Sequence, residues 1–252
     1  MTQVQLRIQN EKGLPAGSLH GRFWRTSPMV GEAVDRQAVV LLSGGLDSAT
    51  TLYVAKERGF KCFCLIFDYG QRHKKEIELA KKIAKAANCK FKILKINLPW
   101  KGSALLDKKI KLLTINHKLS TVIPLTYVPA RNTIFLSFAL SCAEAIGAEA
   151  IFIGANAIDF SGYPDCRPAY YQAFKKLIKL ATKAGVEGQK IEIYTPLIKK
   201  TKAEIIKLGK KLGVPYELTW SCYRGGKKPC GICDSCRFRA KGFKEAGVKD
   251  PF

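Results

Sequence analysis

The stretch VVLLSGGLDS, Val39–Ser48, decides how the rest of the chain is read. Four apolar residues are too few for a helix of their own and suit a buried strand. Ser43, Gly44 and Gly45 follow as a turn without side-chain bulk, where backbone can come close to a ligand. Beyond Asp47 and Ser48 a helical pattern begins, continued by Leu52, Ala55 and Lys56. Strand, glycine turn and helix N-terminus together turn unpaired N–H groups toward an anion, normally a phosphate. The candidate anion-binding set is therefore Leu42, Ser43, Gly44, Gly45, Leu46, Asp47 and Ser48. The loop lacks both the Lys-Ser/Thr ending of a Walker A motif and the GxGxxG spacing of a dinucleotide fold. An acid as close to phosphates as Asp47 would repel them unless Mg²⁺ lay between.

Outward from this stretch, strands at Lys61–Phe67, Lys90–Asn97, Ala150–Gly154 and Ile191–Tyr194 alternate with helices at Ser48–Arg58, Lys74–Asn88, Arg131–Ile146, Ala169–Ala184 and Thr201–Leu212. That alternation predicts an α/β fold, a doubly wound parallel sheet of about five strands. The almost wholly apolar Arg131–Ile146 segment is expected to be deeply buried, and Thr201 with Glu204 forms a capping-box pattern. Two polar segments follow strand ends, where ligands sit in open α/β sheets: Asp68–His73 and the long Asn156–Pro168 loop. Leu98–Thr126 reads as a long loop. Residues Met1–Gln37 mix Gly, Pro, Ser and Arg without period and read as a flexible extension, with Met29 an alternative translation start. The expected organisation is that 1–37 extension, a nucleotide-binding domain over 38–214 and a metal-binding segment over 215–252.

At 252 residues and 47% apolar content, the chain can bury one full core. No apolar run reaches membrane-spanning length and the N-terminus lacks a secretory h-region, so a cytoplasmic protein without a membrane partner is expected. A net charge of +23 raises the question of nucleic acid. The lysines, however, are scattered over successive helices, and pairs such as Glu78/Lys82 and Glu204/Lys207 suit solvated faces rather than one binding stripe. A basic field gathers anionic substrates such as ATP, and no direct nucleic-acid partner is expected.

Of nine cysteines, Cys62, Cys64, Cys89, Cys142 and Cys166 are scattered, whereas Cys222, Cys230, Cys233 and Cys236 follow C-x7-C-x2-C-x2-C. Clustered thiols without a secretory signal suggest metal rather than disulfides. The x2 spacings let thiolates converge on one ion, and Arg224, Lys227, Lys228, Arg237 and Arg239 would ease thiolate formation. Iron–sulfur sites also use C-x2-C-x2-C, with a fourth cysteine from elsewhere. Four ligands within one short segment favour a single structural zinc per chain, closed to substrate.

VVLLSGGLDSAT (39–50), FDYGQRH (67–73), VPARN (128–132), DFSGYPDCRP (159–168), TKAEI (201–205) and the tail from Leu218 to Arg239 together resemble the 7-cyano-7-deazaguanine synthases. That family belongs to the PP-loop ATP pyrophosphatases, with an adenine nucleotide alpha-hydrolase-like fold. The resemblance implies a homodimeric ligase of queuosine biosynthesis that converts 7-carboxy-7-deazaguanine, ammonia and ATP, with Mg²⁺, into the nitrile. It would adenylate first the carboxylate and then the amide. Leu42 to Ser48 would then bind ATP, and Asp47, Arg131 and Lys202 form the candidate catalytic set.

Arg131, with Asn132 beside it, would pair with the substrate carboxylate or a phosphate. Lys202 is open between a phosphate contact and a solvated first-turn lysine. Asp159 and Asp165 either read the donor-rich edge of the base or cap their loop. Tyr163 either stacks on the base or packs down the loop. Cys166 reads as a packed thiol before a nucleophile, and His73 as a helix-start hydrogen-bonder before a proton shuttle. A PP-loop enzyme that thiolates or aminates tRNA is the rival within enzymes, supported only by the basic charge. A zinc-ribbon module without catalysis would leave SGGLDS without purpose.

Overall fold

β1 (Gln37–Leu41) sends Ala38 and Val40 to one side and Val39 and Leu41 to the other, and all four are buried. A strand apolar on both faces belongs in the middle of a sheet covered on both sides. The computed structural model places it there, and describes residues 36–100, 102–107, 109–110, 123–157 and 162–252. Residues 1–35 of the expected extension, Met29 and Asp159 lie outside the described residues.

From β1 the chain continues through α1 (Leu46–Glu57), β2 (Lys61–Asp68), α2 (Lys75–Ala86) and β3 (Lys90–Lys95). After a long connection come α3 (Arg131–Ile146), β4 (Ala150–Phe152), α4 (Pro168–Ala181), α5 (Lys183–Val186), β5 (Glu192–Tyr194), α6 (Lys202–Lys211) and α7 (Asp234–Ala246). The sheet order is β3-β2-β1-β4-β5, with every neighbouring pair parallel. One face is covered by α1, α2, α6 and α7 through Leu52, Ile83, Ile206 and Phe243. The other carries α3 and α4 through Leu136 and Phe174. Fully buried side chains such as Leu52, Ile83 and Leu136 each contribute about 1.5–3 kcal/mol through burial. The strand order reverses between β1 and β4, which opens a crevice above their C-terminal ends.

Four local expectations change. Besides Asn132 in its first turn, α3 buries only the stripe Leu136, Ala139, Leu140 and Ala143, while Phe138 is 41% exposed. A helix lying on one sheet face buries one stripe, and among the described residues nothing covers the other. The helix expected over Ala169–Ala184 breaks at Thr182, which is extended and whose hydroxyl accepts from Gly185 N–H (2.9 Å) to start α5. Glu78 pairs with Lys81 (2.7 Å) rather than Lys82, and Glu204 is engaged in the Thr201 capping box. The cysteine tail contains a full helix, α7, and no helix among the described residues is long and apolar enough to cross a membrane.

Candidate active site

The β1–α1 turn is braced from within by its two serines. Ser43 donates through N–H (3.1 Å) and Oγ (3.0 Å) to Ser48 Oγ, which donates to the Gly45 carbonyl (3.0 Å). No side chain caps α1, so its first-turn N–H groups remain for a ligand. Gly44 sits at φ +85°, and a Cβ there would lie 2.2 Å from the Glu76 carbonyl oxygen of α2. Its own carbonyl accepts from Trp220 N–H at 2.9 Å. The loop is thus clamped between α2 and the cysteine tail.

Lys202 points back at this loop. Its Nζ donates to both carboxylate oxygens of Asp47, at 2.8 and 2.9 Å, and the two side chains are only 11% and 20% exposed. The capping box fixes the start of α6, and Gly242 of α7 gives the lysine stem room, since a Cβ there would lie 2.4 Å from Lys202 Cγ. The Lys202 ammonium therefore neutralises the Asp47 carboxylate.

The loop, α3 and the tail enclose a cavity of about 280 Å³. Its wall includes Leu42, Ser43, Gly45, Leu46, Asp47 and Ser48, and opposite them Arg131, Asn132, Tyr163, Cys166 and Lys202. Gly44 and Asp165 lie behind the wall. Arg131 opens α3 next to Tyr69, with Nη1 at 3.5 Å from the tyrosine hydroxyl. Burial works against its charge, but Tyr69 and Asp165 outweigh it and hold the guanidinium firmly protonated. Asp165 Oδ2 accepts from Asn132 N–H (3.1 Å), and its carbonyl accepts from Asn132 Nδ2 (3.2 Å) and Tyr171 (3.0 Å). The carboxylate thereby caps α3, whose own N-cap, Ala130, has no side chain to do so.

Tyr163 keeps its ring on the wall and pairs its hydroxyl with Thr126 Oγ1 (2.5 Å). Burial, followed by the nearby Asp165, pushes the Cys166 thiol up to about 12, so it keeps its proton at neutral pH and is a poor nucleophile. His73 is half-buried, its pKa lowered by burial, and it hydrogen-bonds the backbone of Cys222. Its Nδ1 has no partner among the described residues.

Glu76, Tyr69 and Tyr223 also line the cavity, and none was singled out from the sequence as a site residue. Burial pushes the Glu76 carboxyl up to about 7, opposed only by Arg131. Tyr69 lies within FDYGQRH, at a strand's C-terminal end, which was the available signal. Glu76 lies in the first turn of a lysine-rich helix, where an acid reads as a solvated cap.

The four thiol sulfurs of Cys222, Cys230, Cys233 and Cys236 lie within 4.8 Å of one another. Tetrahedral Zn–S bonds of about 2.3 Å require sulfurs ~3.8 Å apart, so the set fits a closed four-thiolate ion. Cys222 Sγ accepts from Arg224 and Cys230 N–H, each at 3.4 Å, and Cys230 Sγ from Cys233 N–H at 3.4 Å. Burial opposes ionisation of Cys230, but the N–H groups of Cys233 and Ile232 bring it down to about 6. Arg239, expected to serve the thiolates, is instead tied to Asp250 (2.9 Å), Thr219 (2.8 Å) and the Tyr216 carbonyl. The tail meets the site directly: Lys75 sits 3.5 Å over the Trp220 ring and donates to the Gly226 and Lys227 carbonyls.

A family profile described as "Queuosine biosynthesis protein QueC" matches residues 37–247. A relative from Trichodesmium erythraeum, named 7-cyano-7-deazaguanine synthase, is 54% identical over 219 residues, 85% of this chain and 99% of its own. One of the same name from Acetivibrio thermocellus is 56% identical over 216 residues, 85% of this chain and 96% of its own. Among solved structures, an NMN synthetase from Francisella tularensis is similar at a TM-score of 0.46 and 14% identity, covering 85% of this chain and 88% of its own.

Proposed function

The chain belongs to the QueC family of queuosine biosynthesis proteins, and from that premise we propose that it is an ATP-dependent C–N ligase. It converts 7-carboxy-7-deazaguanine and ammonia into 7-cyano-7-deazaguanine. The observation that carries this reading is the single cavity in which the braced Ser43–Ser48 loop faces Arg131. A carboxylate is a poor electrophile because its oxygen leaves badly, and adenylation replaces that oxygen with AMP. The loop amides and the α1 N-terminus receive the phosphates, and Lys202, held by Asp47, adds a positive charge beside them. Arg131 pairs with the substrate carboxylate and orients it for attack on the α-phosphorus. Ammonia displaces AMP to give the amide. Adenylation of the amide oxygen by a second ATP then allows loss of AMP to leave the nitrile. One loop serves both activations because the acceptor oxygen occupies the same place each time.

Asn132, Tyr163 and Asp165 shape the base end of the cavity in this proposal, and Asp159 remains a candidate base contact from the sequence pattern alone. Mg²⁺ accompanies ATP as part of the substrate. Cys222, Cys230, Cys233 and Cys236 hold a structural zinc, which supplies folding energy to the tail and no open coordination position. Exposed Phe138 on α3 with Leu177 and Leu180 on α4 support a homodimer through that face. Light scattering should give twice the chain mass for the wild type and the single mass for Leu180→Lys. The chemistry is tested by incubating the protein with ATP, Mg²⁺, ammonium and 7-carboxy-7-deazaguanine. Nitrile with AMP and pyrophosphate is expected. Pyrophosphate release that requires tRNA, with the deazaguanine untouched, would overturn the proposal in favour of a tRNA-modifying enzyme.

A further inference from the structure

We propose that Glu76 marks the ammonia site, its carboxylate binding the incoming ammonium and taking the proton that nitrogen must lose in each half of the reaction. This rests on the reaction proposed above. The other acids of the site are already engaged: Asp47, on the wall, is paired with Lys202, and Asp165, behind it, caps α3. Cys166 retains its proton, as does Tyr223, which also lines the cavity. Among the described residues, the Glu76 carboxyl takes part in no hydrogen bond and no ion pair, although it lines the cavity.

Its backbone is held rigidly in place. The carbonyl abuts Gly44, and Ile77 and Ala80 of the same turn sit in the core. The groups facing it are Arg131 from α3, Tyr69 from the β2–α2 connection and Tyr223 from the tail. Arg72 and His73 lie on that same connection, and the Asp47–Lys202 pair completes the charges of the cavity. Arg131, which orients the substrate carboxylate, is also the charge that Glu76 feels. A nitrogen held by Glu76 would therefore share the cavity with the carboxylate that Arg131 orients. A carboxyl that titrates near 7 can accept and return a proton at working pH.

Ammonium has no lone pair and cannot attack. Glu76 takes one of its protons, the freed pair forms the C–N bond, and the C–O bond to AMP breaks with its electrons leaving on the phosphate. The surplus proton on nitrogen follows to Glu76, after the first has passed to solvent. In the second half the adenylated amide loses its N–H protons by the same route. One freed electron pair completes the C≡N bond as AMP departs, and the other stays on nitrogen as its lone pair. Both deprotonations occur at one nitrogen, so one acid in one place suffices.

The test compares wild type, Glu76→Gln and Glu76→Asp in two assays. Exchange of labelled pyrophosphate into ATP, dependent on 7-carboxy-7-deazaguanine and run without ammonium, reads adenylation alone. Mass analysis with ¹⁵N-ammonium reads amide and nitrile. For Glu76→Gln, exchange within ~3-fold of wild type and a loss of nitrile formation of ~100-fold or more are expected. The deficit should shrink at high pH, where solution supplies free ammonia, and Glu76→Asp should recover part of the rate. Loss of exchange in Glu76→Gln alone would make Glu76 a nucleotide or Mg²⁺ contact and overturn the inference. Wild-type nitrile rates with an unchanged pH profile would overturn it as well. Absence of exchange in the wild type would instead remove the proposed reaction itself.

Discussion

Replacing Gly44 with alanine isolates the contact between the β1–α1 loop and α2. At φ +85° an L-residue is disfavoured by ~1–2 kcal/mol. The new Cβ would also lie 2.2 Å from the Glu76 carbonyl oxygen and 3.0 Å from Ala80 N. Both obstacles are backbone of a helix anchored in the core by Ile77, Ala80 and Ile83, so relief requires the helix itself to shift. Overpacking of this kind costs about 1–3 kcal/mol, which brings the expected destabilisation to ~2–5 kcal/mol. Gly59 provides an internal control, because it has φ +81° but nothing within 4 Å of an added Cβ. Gly59→Ala should lose only the ~1–2 kcal/mol of backbone strain. Urea denaturation of the two variants reads the difference, and as melting temperature Gly44→Ala should fall about 4–20 °C below wild type. Equal losses, within ~0.5 kcal/mol, would refute the argument that α2 reserves this position for glycine.

Lys202→Met leaves Asp47 part-buried without its cation. A loss of ~1–3 kcal/mol is expected, below the 3–5 of a fully buried pair, with pyrophosphate exchange reduced at least ~100-fold. Unchanged exchange would remove Lys202 from the catalytic set. Elemental analysis should find about one zinc per chain, and none in Cys236→Ser, whose tail should become sensitive to limited proteolysis. Retention of stoichiometric zinc by that variant would dismiss the four-thiolate site. Folding raises the Glu76 carboxyl from the ordinary 4.5 to about 7, so between those values the folded chain holds a proton that the unfolded chain has released. Stability contributed by this group therefore declines as pH rises from 4.5 through 7 and then levels. Glu76→Gln lacks that slope and should improve on wild type by up to ~3 kcal/mol between pH 5 and 8 in urea titrations. Parallel pH dependences would show that burial does not act on this carboxyl.

Much of this was legible along the chain because it is local. The alternation of Ala38 to Leu41 between two apolar faces, the SGGLDS turn and the Thr201/Glu204 cap depend on neighbours within a few residues. The cysteine spacing likewise brings four sulfurs together without knowledge of the fold. What escaped was decided across long separations. Lys202 and Asp47 meet over 155 positions, and neither sequence neighbourhood announces the other. Glu76 has the local signature of a solvated helix-start acid, and only the approach of α3 and the tail turns it inward. Asp165 could be read as a base-edge acid or a cap, and the bond from Asn132, 33 residues away, supplies the cap. The wholly apolar face of α3 misled for the opposite reason, since composition cannot say whether a helix has one neighbour or two.

The bond from Trp220 to the Gly44 carbonyl has a consequence for how the protein is made. During translation at ~5–20 residues per second, Gly44 leaves the ribosome roughly 10–35 s before its partner. Throughout that interval the nascent chain has the β1–α1 loop without its back wall, and the wall itself waits for the last cysteines to be synthesised. A chain cut short by a premature stop or a nicked message therefore lacks the donor that holds the Gly44 carbonyl.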